Sequence, residues 1–189
     1  MGEGSDLAEA CRVLSGGGVV AFPTDTVFGV GAALADQAAV DRLFEVKGRE
    51  HTQAVAVLVA DVDQADELGD LGADGRRLAL RFWPGALTLV VRRRPGVGAD
   101  LGGDRTTIGL RCPDDDDVRE MCRRLGPLAT TSANRSGEPT PADAAGVRLA
   151  LGGRVDLVID GETTSTAAST VVSLVDDVEV LREGPIDAA

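Results

Sequence analysis

The sequence predicts one α/β domain built on a mixed parallel and antiparallel β-sheet. Apolar segments of strand length alternate with amphipathic segments of helical periodicity, but several strands follow one another near the end of the chain. Strict alternation favours a purely parallel sheet, so the broken alternation favours a mixed one. With 189 residues and 43% hydrophobic content, the chain can bury one sizeable core. We therefore expect a single domain over residues 1–189.

Helices are predicted where apolar residues recur at helical spacing. Residues 6–14 form a short amphipathic helix that a run of glycines stops. Residues 36–46 place their apolar side chains on one face, with Asp36 as the N-cap. Three more helices are predicted at 74–82, 114–125 and 140–151. We expect Asp114–Asp117 to start one of these helices and Trp83 to be buried at the end of another.

Strands are predicted at short apolar runs that are rich in β-branched residues. The first, VVAF, ends at Pro23. The others are predicted at 54–60, 86–91, 106–112, 127–131, 155–160, 169–174 and 178–182. Only 3% of the residues are aromatic and tyrosine is absent, so valine, leucine, alanine and isoleucine must build the core.

The composition disfavours several classes of function. A formal net charge of −12 argues against a general nucleic-acid binder, because non-specific affinity comes from neutralising phosphates. We therefore expect direct tRNA binding to be weak or absent. Three cysteines without a CxxC pair, a single histidine and no apolar leader or span predict a cytoplasmic protein without a metal-ligand set of its own.

The first candidate site is FPTDTVFGVG at 22–31, which follows the first strand. Hydroxyls at Thr24 and Thr26, the carboxylate of Asp25 and two glycines predict a polar, flexible turn. Ligands of open α/β sheets gather at such strand ends. The alternative is an ordinary strand-to-helix turn capped by Thr-Asp-Thr, and the segment alone favours that alternative.

The second candidate is EVKGREH, which holds the only lysine of the chain, Lys47, and its only histidine, His51. In an extended K-x-R segment, Lys47 and Arg49 would meet one anion, the lysine as a point charge on phosphate. The alternative is that both residues complement the dipole of a helix that Gly48 stops. Arginine would serve that purpose equally well, so the lone lysine favours an anion site. We expect His51 in a solvated loop.

The third candidate is TTSANRSG at 130–137, which follows an apolar strand. Ser132, Asn134 and Ser136 offer the donors and acceptors of a phosphate cradle. The segment is not a P-loop, because GxxxxGK[ST] occurs nowhere in the chain. A Ser/Asn turn is the alternative.

Seven segments occur in one order along the chain: FPTDTVFGVGA, KGR, FWPGALTLVV, TIGLRCP, TSANRSGEPTP, STVV and LREG. In this order they resemble the YrdC-like family, the threonylcarbamoyl-AMP synthases. K-x-R together with S-x-N and an upstream P-T-[DE]-T is more specific than any one piece. The resemblance covers about residues 7–186, the expected core of a YrdC-like domain. It implies a twisted mixed sheet with helices around it and a positively charged concave cavity.

The resemblance also implies an enzyme that joins L-threonine, bicarbonate or CO2, and ATP into L-threonylcarbamoyladenylate and pyrophosphate. Other proteins would then receive the adenylate and form N6-threonylcarbamoyladenosine in tRNA. Family membership would make Lys47 and Arg49 the catalytic cations that face the phosphates, with Mg²⁺ accompanying ATP. The remaining ATP ligands would be Thr107, Thr130, Ser132, Asn134, Thr140 and Arg182. The L-threonine ligands would be Thr24, Arg111 and Ser169.

Several positions depart from the family's pattern. Phe28 stands where tyrosine is usual, which would remove a hydroxyl from the cavity wall. The other departures are Glu50 for a common proline, Ala54–Val55 for Pro-Leu, and Asp115 or Asp116 for a frequent histidine. None belongs to the K-x-R and S-x-N set, so we expect activity with an altered cavity shape or threonine affinity. The chain ends shortly after LREG, as expected for the short single-domain form.

Three other functions stay open from the sequence. The same domain type occurs within larger carbamoyltransferases, so a carbamoyl-adenylating relative with another acceptor is one of them. A basic concavity that accepts an RNA strand without catalysis is the second, and the negative net charge disfavours it. An inactive regulatory paralogue is the third.

Overall fold

The computed structural model describes residues 3–48, 51–163, 165 and 167–186. The helices are α1 Glu3–Ser15, α2 Gln37–Lys47, α3 Val62–Leu68, α4 Gly72–Phe82, α5 Asp116–Leu125 and α6 Ala144–Leu151. The strands are β1 Val20–Phe22, β2 Gly29–Ala33, β3 Ala56–Leu58, β4 Gly69–Asp70, β5 Leu87–Arg93, β6 Thr107–Arg111, β7 Leu128–Ser132, β8 Leu157–Val158, β9 Thr170–Ser173 and β10 Glu179–Arg182. None of the described helices is long and apolar enough to cross a lipid bilayer.

The strands form one sheet in the order β10-β9-β5-β6-β3-β7-β2-β1-β8, and β4 adds to β5 outside this path. The pairs β3–β6, β5–β9 and β1–β8 are parallel. The other neighbouring strands run antiparallel. The predicted mixed sheet is therefore confirmed.

Two apolar clusters lie on opposite faces of this sheet. In and just before β1, Val19 and Ala21 enter the larger cluster, which α2 also joins, whereas Val20 and Phe22 enter the smaller one. Side chains alternate across a strand, so this sorting follows from the period of two. Residues of α1 and α5 complete the smaller cluster. The aliphatic core predicted from the composition is confirmed on both faces.

Aspartate side chains begin four of the helices. Asp36, Asp61, Asp115 and Asp143 each accept a hydrogen bond from the backbone N–H three residues on. This contact satisfies one of the N–H groups that the first turn of a helix leaves without a partner. The predicted cap at Asp36 and the predicted start of a helix within Asp114–Asp117 are both confirmed.

The structure corrects the interpretation of the glycines at 29 and 31. They were expected in a flexible turn, but they lie in β2, paired with β1 on one side and β7 on the other. A Cβ at Gly31 would come within 2.8 Å of the Phe22 ring, so this strand is glycine-rich because an aromatic ring packs closely against it. Sequence patterns miss such strands, since glycine carries no β propensity.

Other differences concern the lengths and number of the elements. Helix α1 begins at Glu3 instead of residue 6, and the strand predicted at 155–160 is only Leu157–Val158. Helix α3 and strand β4 were not predicted, because seven and two residues are too few for a clear periodic signal. Trp83 is buried as expected, and its indole N–H donates to the carbonyl of Leu87 at 2.7 Å.

We expect Gly31→Ala to destabilise the fold by about 1–3 kcal/mol, because its methyl group would overpack the ring of Phe22. Equilibrium denaturation in urea measures the effect. Gly153→Ala is the matched control, since nothing lies within 4 Å of its Cβ position and its φ is −78°. Equal stability of the two variants would contradict the packing argument.

The buried thiols yield a second prediction. Burial raises the pKa of Cys112 to about 11 and that of Cys122 to about 12, so both remain protonated at neutral pH. We expect a thiol reagent to modify only the half-buried Cys11 of the native protein at an appreciable rate. All three cysteines should react in denaturant. Rapid modification of three thiols in the native state would show that these sites are open to solvent.

Candidate active site

A cavity of about 320 Å³ lies against strands β3, β5, β6 and β7 and the start of β9. Alternation along β5 supplies part of its wall. Leu87, Leu89 and Val91 enter the larger apolar cluster, whereas Thr88 and Val90 line the cavity. The same sheet therefore presents an apolar core on one face and hydroxyl-bearing side chains to the cavity on the other.

Most of the site residues predicted from the sequence come together at this cavity. Those that line it are Thr24, Thr107, Arg111, Thr130, Ser132, Ser169 and Arg182. Lys47, Asn134 and Thr140 form a hydrogen-bonded group that meets the cavity at Ser132. Arg49 lies outside the described residues.

Lys47 links the second candidate segment to the third. It is the last residue of α2, and Gly48 ends that helix in the left-handed conformation, with φ at 62°. The Lys47 ammonium donates to the backbone oxygen and the Oγ of Ser132 at 3.0 and 2.9 Å, and to Asn134 Oδ1 at 2.7 Å. Only 5% of Lys47 is exposed, so its charge lies beside the cavity in a poorly solvated place.

Asn134 holds the loop after β7 in shape. Its Oδ1 also accepts from Ser132 Oγ at 2.6 Å and from Thr140 Oγ1 at 3.3 Å, and its Nδ2 donates to the carbonyls of Arg135 and Glu138. The amide therefore uses both its donor and its acceptor within one loop. The S-x-N spacing places the Ser132 hydroxyl at the cavity wall and the Asn134 amide behind it.

Arg111 provides the second cationic part of the cavity. Burial lowers the pKa of its guanidinium, and the charge of Asp25 opposes that shift. Its Nη2 lies 2.5 Å from Asp25 Oδ1, its Nη1 donates to Thr26 Oγ1 at 2.7 Å, and its Nε donates to the carbonyl of Gly85 at 3.0 Å. The end of β6, the turn after β1 and the turn before β5 thus meet at one side chain.

Ser169 joins a third polar group at the cavity wall. Its Oγ lies 2.8 Å from Thr88 Oγ1 and accepts from Arg182 Nη2 at 3.1 Å, while Arg182 Nε donates to the Ser169 carbonyl at 2.9 Å. Sequence reasoning selected Ser169 and Arg182 but missed Thr88. The available signal was the single polar residue within the apolar run 86–91.

The charged side chains at the cavity are positive, whereas the net charge of the chain is negative. The formal net charge is −12, yet the charged side chains that line the cavity within the described ranges are those of Arg111 and Arg182. Lys47 adds a third positive charge next to the wall, and Asp25 pairs with one of the arginines. The site therefore suits an anionic ligand despite the acidic surface.

The structure also corrects the expected place of Phe28. Its side chain is fully buried in the larger apolar cluster and does not line the cavity. The substitution of phenylalanine for tyrosine therefore changes the core instead of the cavity wall. Ala54 and Val55, which replace Pro-Leu, do line the cavity, whereas Asp115 caps α5. Glu50 lies outside the described residues.

His51 does not line the cavity. Its exposed imidazole ring stacks on Phe44, with centroids 3.7 Å apart and an interplanar angle of 16°. Its backbone carbonyl accepts from Gly103 N–H at 2.8 Å, which fixes the loop after α2 against the segment before β6. The expected loop position of His51 is confirmed, and its imidazole ring packs on Phe44.

The fold and the site define a class of protein: an α/β domain whose mixed sheet carries a cation-lined cavity. A family model for the Sua5, YciO and YrdC domain, described as "Telomere recombination", matches residues 12–184. The chain belongs to this Sua5/YciO/YrdC family.

Individual relatives agree with this membership. A protein from Mycobacterium leprae (strain TN) is 41% identical over 186 residues, which are 97% of this chain and 84% of the relative. The threonylcarbamoyl-AMP synthase of Bacillus subtilis (strain 168) is 38% identical over 185 residues, 95% of this chain and 54% of that protein. The crystal structure of Pyrococcus abyssi Sua5 complexed with L-threonine superimposes with a TM-score of 0.88 at 36% identity, covering 94% of this chain and 54% of that one. This chain thus spans about half the length of the last two.

The loop after β7 gives a testable prediction. Asn134→Asp would direct an oxygen at the carbonyls that now accept from Nδ2, so we expect a loss of about 1–3 kcal/mol in the free energy of unfolding. Thermal and urea denaturation measure it. Thr140→Val is the control, because it removes a long hydrogen bond of 3.3 Å. A larger effect at Thr140 than at Asn134 would contradict the proposed role of the amide.

Proposed function

We propose that the protein is an L-threonylcarbamoyladenylate synthase, which forms threonylcarbamoyl-AMP and pyrophosphate from L-threonine, bicarbonate or CO2, and ATP. The observation that carries the proposal is the basic cavity of an acidic chain, with Lys47 behind one part of its wall and Arg111 within another. Support comes from the family: the B. subtilis relative is named threonylcarbamoyl-AMP synthase, and the P. abyssi Sua5 structure contains L-threonine.

The nucleotide phosphates are assigned to the part of the cavity nearest Lys47. Hydroxyl, amide and ammonium groups converge there around Ser132, and such groups neutralise phosphate charge. Arg49 would belong to the same group through the K-x-R motif. The other proposed ATP ligands are Thr107, Thr130, Asn134, Thr140 and Arg182.

The L-threonine is assigned to the part of the cavity at Arg111. A guanidinium is suited to a carboxylate because its N–H groups match the two oxygens. Thr24 and Ser169 line the same cavity and are the other proposed ligands. A cavity of about 320 Å³ falls within the range of about 300–1,000 Å³ that is typical of small-molecule sites.

The proposed chemistry depends on positioning and charge neutralisation. The threonine amine adds to CO2 and loses a proton, which gives a carbamate. A carbamate oxygen then attacks the α-phosphorus of ATP, the bond to the bridging oxygen breaks, and pyrophosphate leaves. Neither step needs a covalent protein nucleophile, and cations beside the phosphates would stabilise the charge that develops there.

Mg²⁺ is proposed to enter with ATP. No group of three or more carboxylate, histidine or cysteine side chains that could hold a metal ion occurs among the described residues. Mg²⁺ commonly binds through substrate phosphates and water, with few protein ligands. We therefore assign it to the nucleotide, where it would offset phosphate charge, and assign no step to a protein-bound metal. The proposed setting is the cytoplasm, where separate threonylcarbamoyl-transfer proteins would take the adenylate to tRNA.

The direct test is to incubate the purified protein with ATP, Mg²⁺, bicarbonate and L-threonine. We expect pyrophosphate that depends on threonine, together with threonylcarbamoyl-AMP detected by mass spectrometry. Replacing threonine with other amines or with carbamoyl phosphate tests for a different acceptor. Pyrophosphate release with those compounds and not with threonine would overturn the assignment, as would salt-sensitive RNA binding without any adenylate.

Lys47→Met keeps the aliphatic stem of the side chain and removes its charge. We expect adenylate formation to fall by about 10²–10³-fold, because the ammonium next to the phosphates is lost. Arg77→Met is the matched control, since it removes an exposed cation that pairs with Asp74 on its own helix. Circular dichroism verifies that both variants are folded. Near-normal turnover by folded Lys47→Met would contradict the proposed site.

A further inference from the structure

The turn after β1 supplies hydrogen-bond acceptors to the side chain of Arg111. Asp25 and Thr26 contribute two of the three acceptors that hold the guanidinium, at 2.5 and 2.7 Å. Gly85 supplies the third through its backbone carbonyl at 3.0 Å. The Arg111 side chain is 9% exposed and that of Asp25 is 16% exposed, so this ion pair is largely shielded from solvent screening.

The hydrogen bonds of the two threonine hydroxyls in this turn can run in only one direction. Guanidinium groups only donate, so Thr26 Oγ1 accepts from Arg111. Carbonyls only accept, so Thr24 Oγ1 donates to the carbonyl of Val27 at 2.7 Å. The 3.1 Å contact between the two hydroxyls must then run from Thr26 to Thr24. A single chain of hydrogen bonds therefore runs from Arg111 through both threonines to the backbone.

This chain uses up the hydrogen-bonding capacity of Thr24. Its oxygen accepts from the Thr26 N–H at 3.2 Å and from the Thr26 hydroxyl, and its own proton goes to Val27. A hydroxyl has one donor and two lone pairs. Thr24 lines the cavity, but its hydroxyl is engaged in shaping the turn, so its proposed contact with L-threonine would be a van der Waals contact and not a hydrogen bond.

Arg111, in contrast, keeps donors for a ligand. A guanidinium carries five N–H groups, of which Nε uses its one and each terminal nitrogen uses one of two in the contacts above. Counting the acceptors among the described residues, one N–H remains on each terminal nitrogen, and Arg111 lines the cavity while Asp25 does not. Asp25 therefore acts on the cavity through Arg111.

We propose that Asp25 and Thr26 are positioning residues that hold the Arg111 guanidinium in the orientation needed to bind the α-carboxylate of the amino-acid substrate. This inference rests on the proposed function, which assigns L-threonine to this part of the cavity. Asp25 also balances the charge of Arg111, so recognition there depends on the direction of two N–H groups more than on net charge. That arrangement favours a zwitterionic amino acid over a free phosphate.

The variants Asp25→Asn and Thr26→Val test the proposal at nearly constant side-chain volume, because the first removes the negative charge that pairs with Arg111 and the second removes a hydrogen-bond acceptor of Arg111. Calorimetry would measure the binding of L-threonine, of threoninol, which lacks the carboxylate, and of ATP with Mg²⁺. We expect both variants to weaken L-threonine binding about tenfold to a hundredfold, as misplacement of a positioned group by about 1 Å can do. Threoninol and ATP binding should change little.

Asp176→Asn is the matched control. Asp176 accepts from Arg92 at 2.8 Å at an exposed surface, so the variant removes the same negative charge from the partner of an arginine away from the cavity. It should bind all three compounds as the wild type does. The fluorescence of Trp83, the only tryptophan, reports folding next to the turn that holds Arg111.

The outcomes separate the two hypotheses. A selective loss of L-threonine binding in folded Asp25→Asn, with threoninol unchanged, supports positioning through Arg111, because Thr26 also lines the cavity whereas Asp25 does not. Unchanged L-threonine binding in both variants, or an equal loss for threoninol and ATP, overturns it. If the wild type neither binds L-threonine nor forms the adenylate, the proposed function itself fails and this assignment fails with it.

Discussion

Two cations kept almost entirely out of bulk water are the constraint on which this site depends. Lys47 and Arg111 are 5% and 7% exposed, and a buried charge is costly unless it is paired and hydrogen-bonded. Their partners come from the turns after β1 and β7 and before β5, which lie far apart in the sequence. Satisfying the cations therefore fixes these turns relative to one another and shapes the cavity between them.

The sheet separates this polar region from the core. Period-two alternation in β5 and β6 directs leucine, isoleucine and valine into the larger cluster, while Thr88, Thr107 and Arg111 face the cavity. The aspartates that cap helices supply negative charge at the periphery instead. An acidic chain can thus enclose a basic cavity, since net charge does not determine where each charge lies.

Sequence patterns predicted most of the elements and failed where the local signal was weak. The alternating strands, the cap at Asp36 and the mixed sheet follow from periodicity and capping chemistry. Strand β2 was not predicted from the sequence. Its glycines make room for the ring of Phe22, which belongs to another strand, and local sequence patterns do not show such a contact. Phe28 was expected in the cavity wall for a similar reason: the chain order does not reveal which face of the sheet a side chain meets.

By itself the sequence determined the fold class, the family and the residue types of the site. A lone lysine, the S-x-N spacing and the Thr-Asp-Thr turn are visible in the chain and point to anion chemistry. Only the tertiary structure decided which of these groups face a ligand and which support a neighbour. Lys47 meets the cavity wall through its hydrogen bond to Ser132, and Asp25 does so through its hydrogen bond to Arg111. Each of these hydrogen bonds joins residues more than eighty positions apart, so the sequence does not show them.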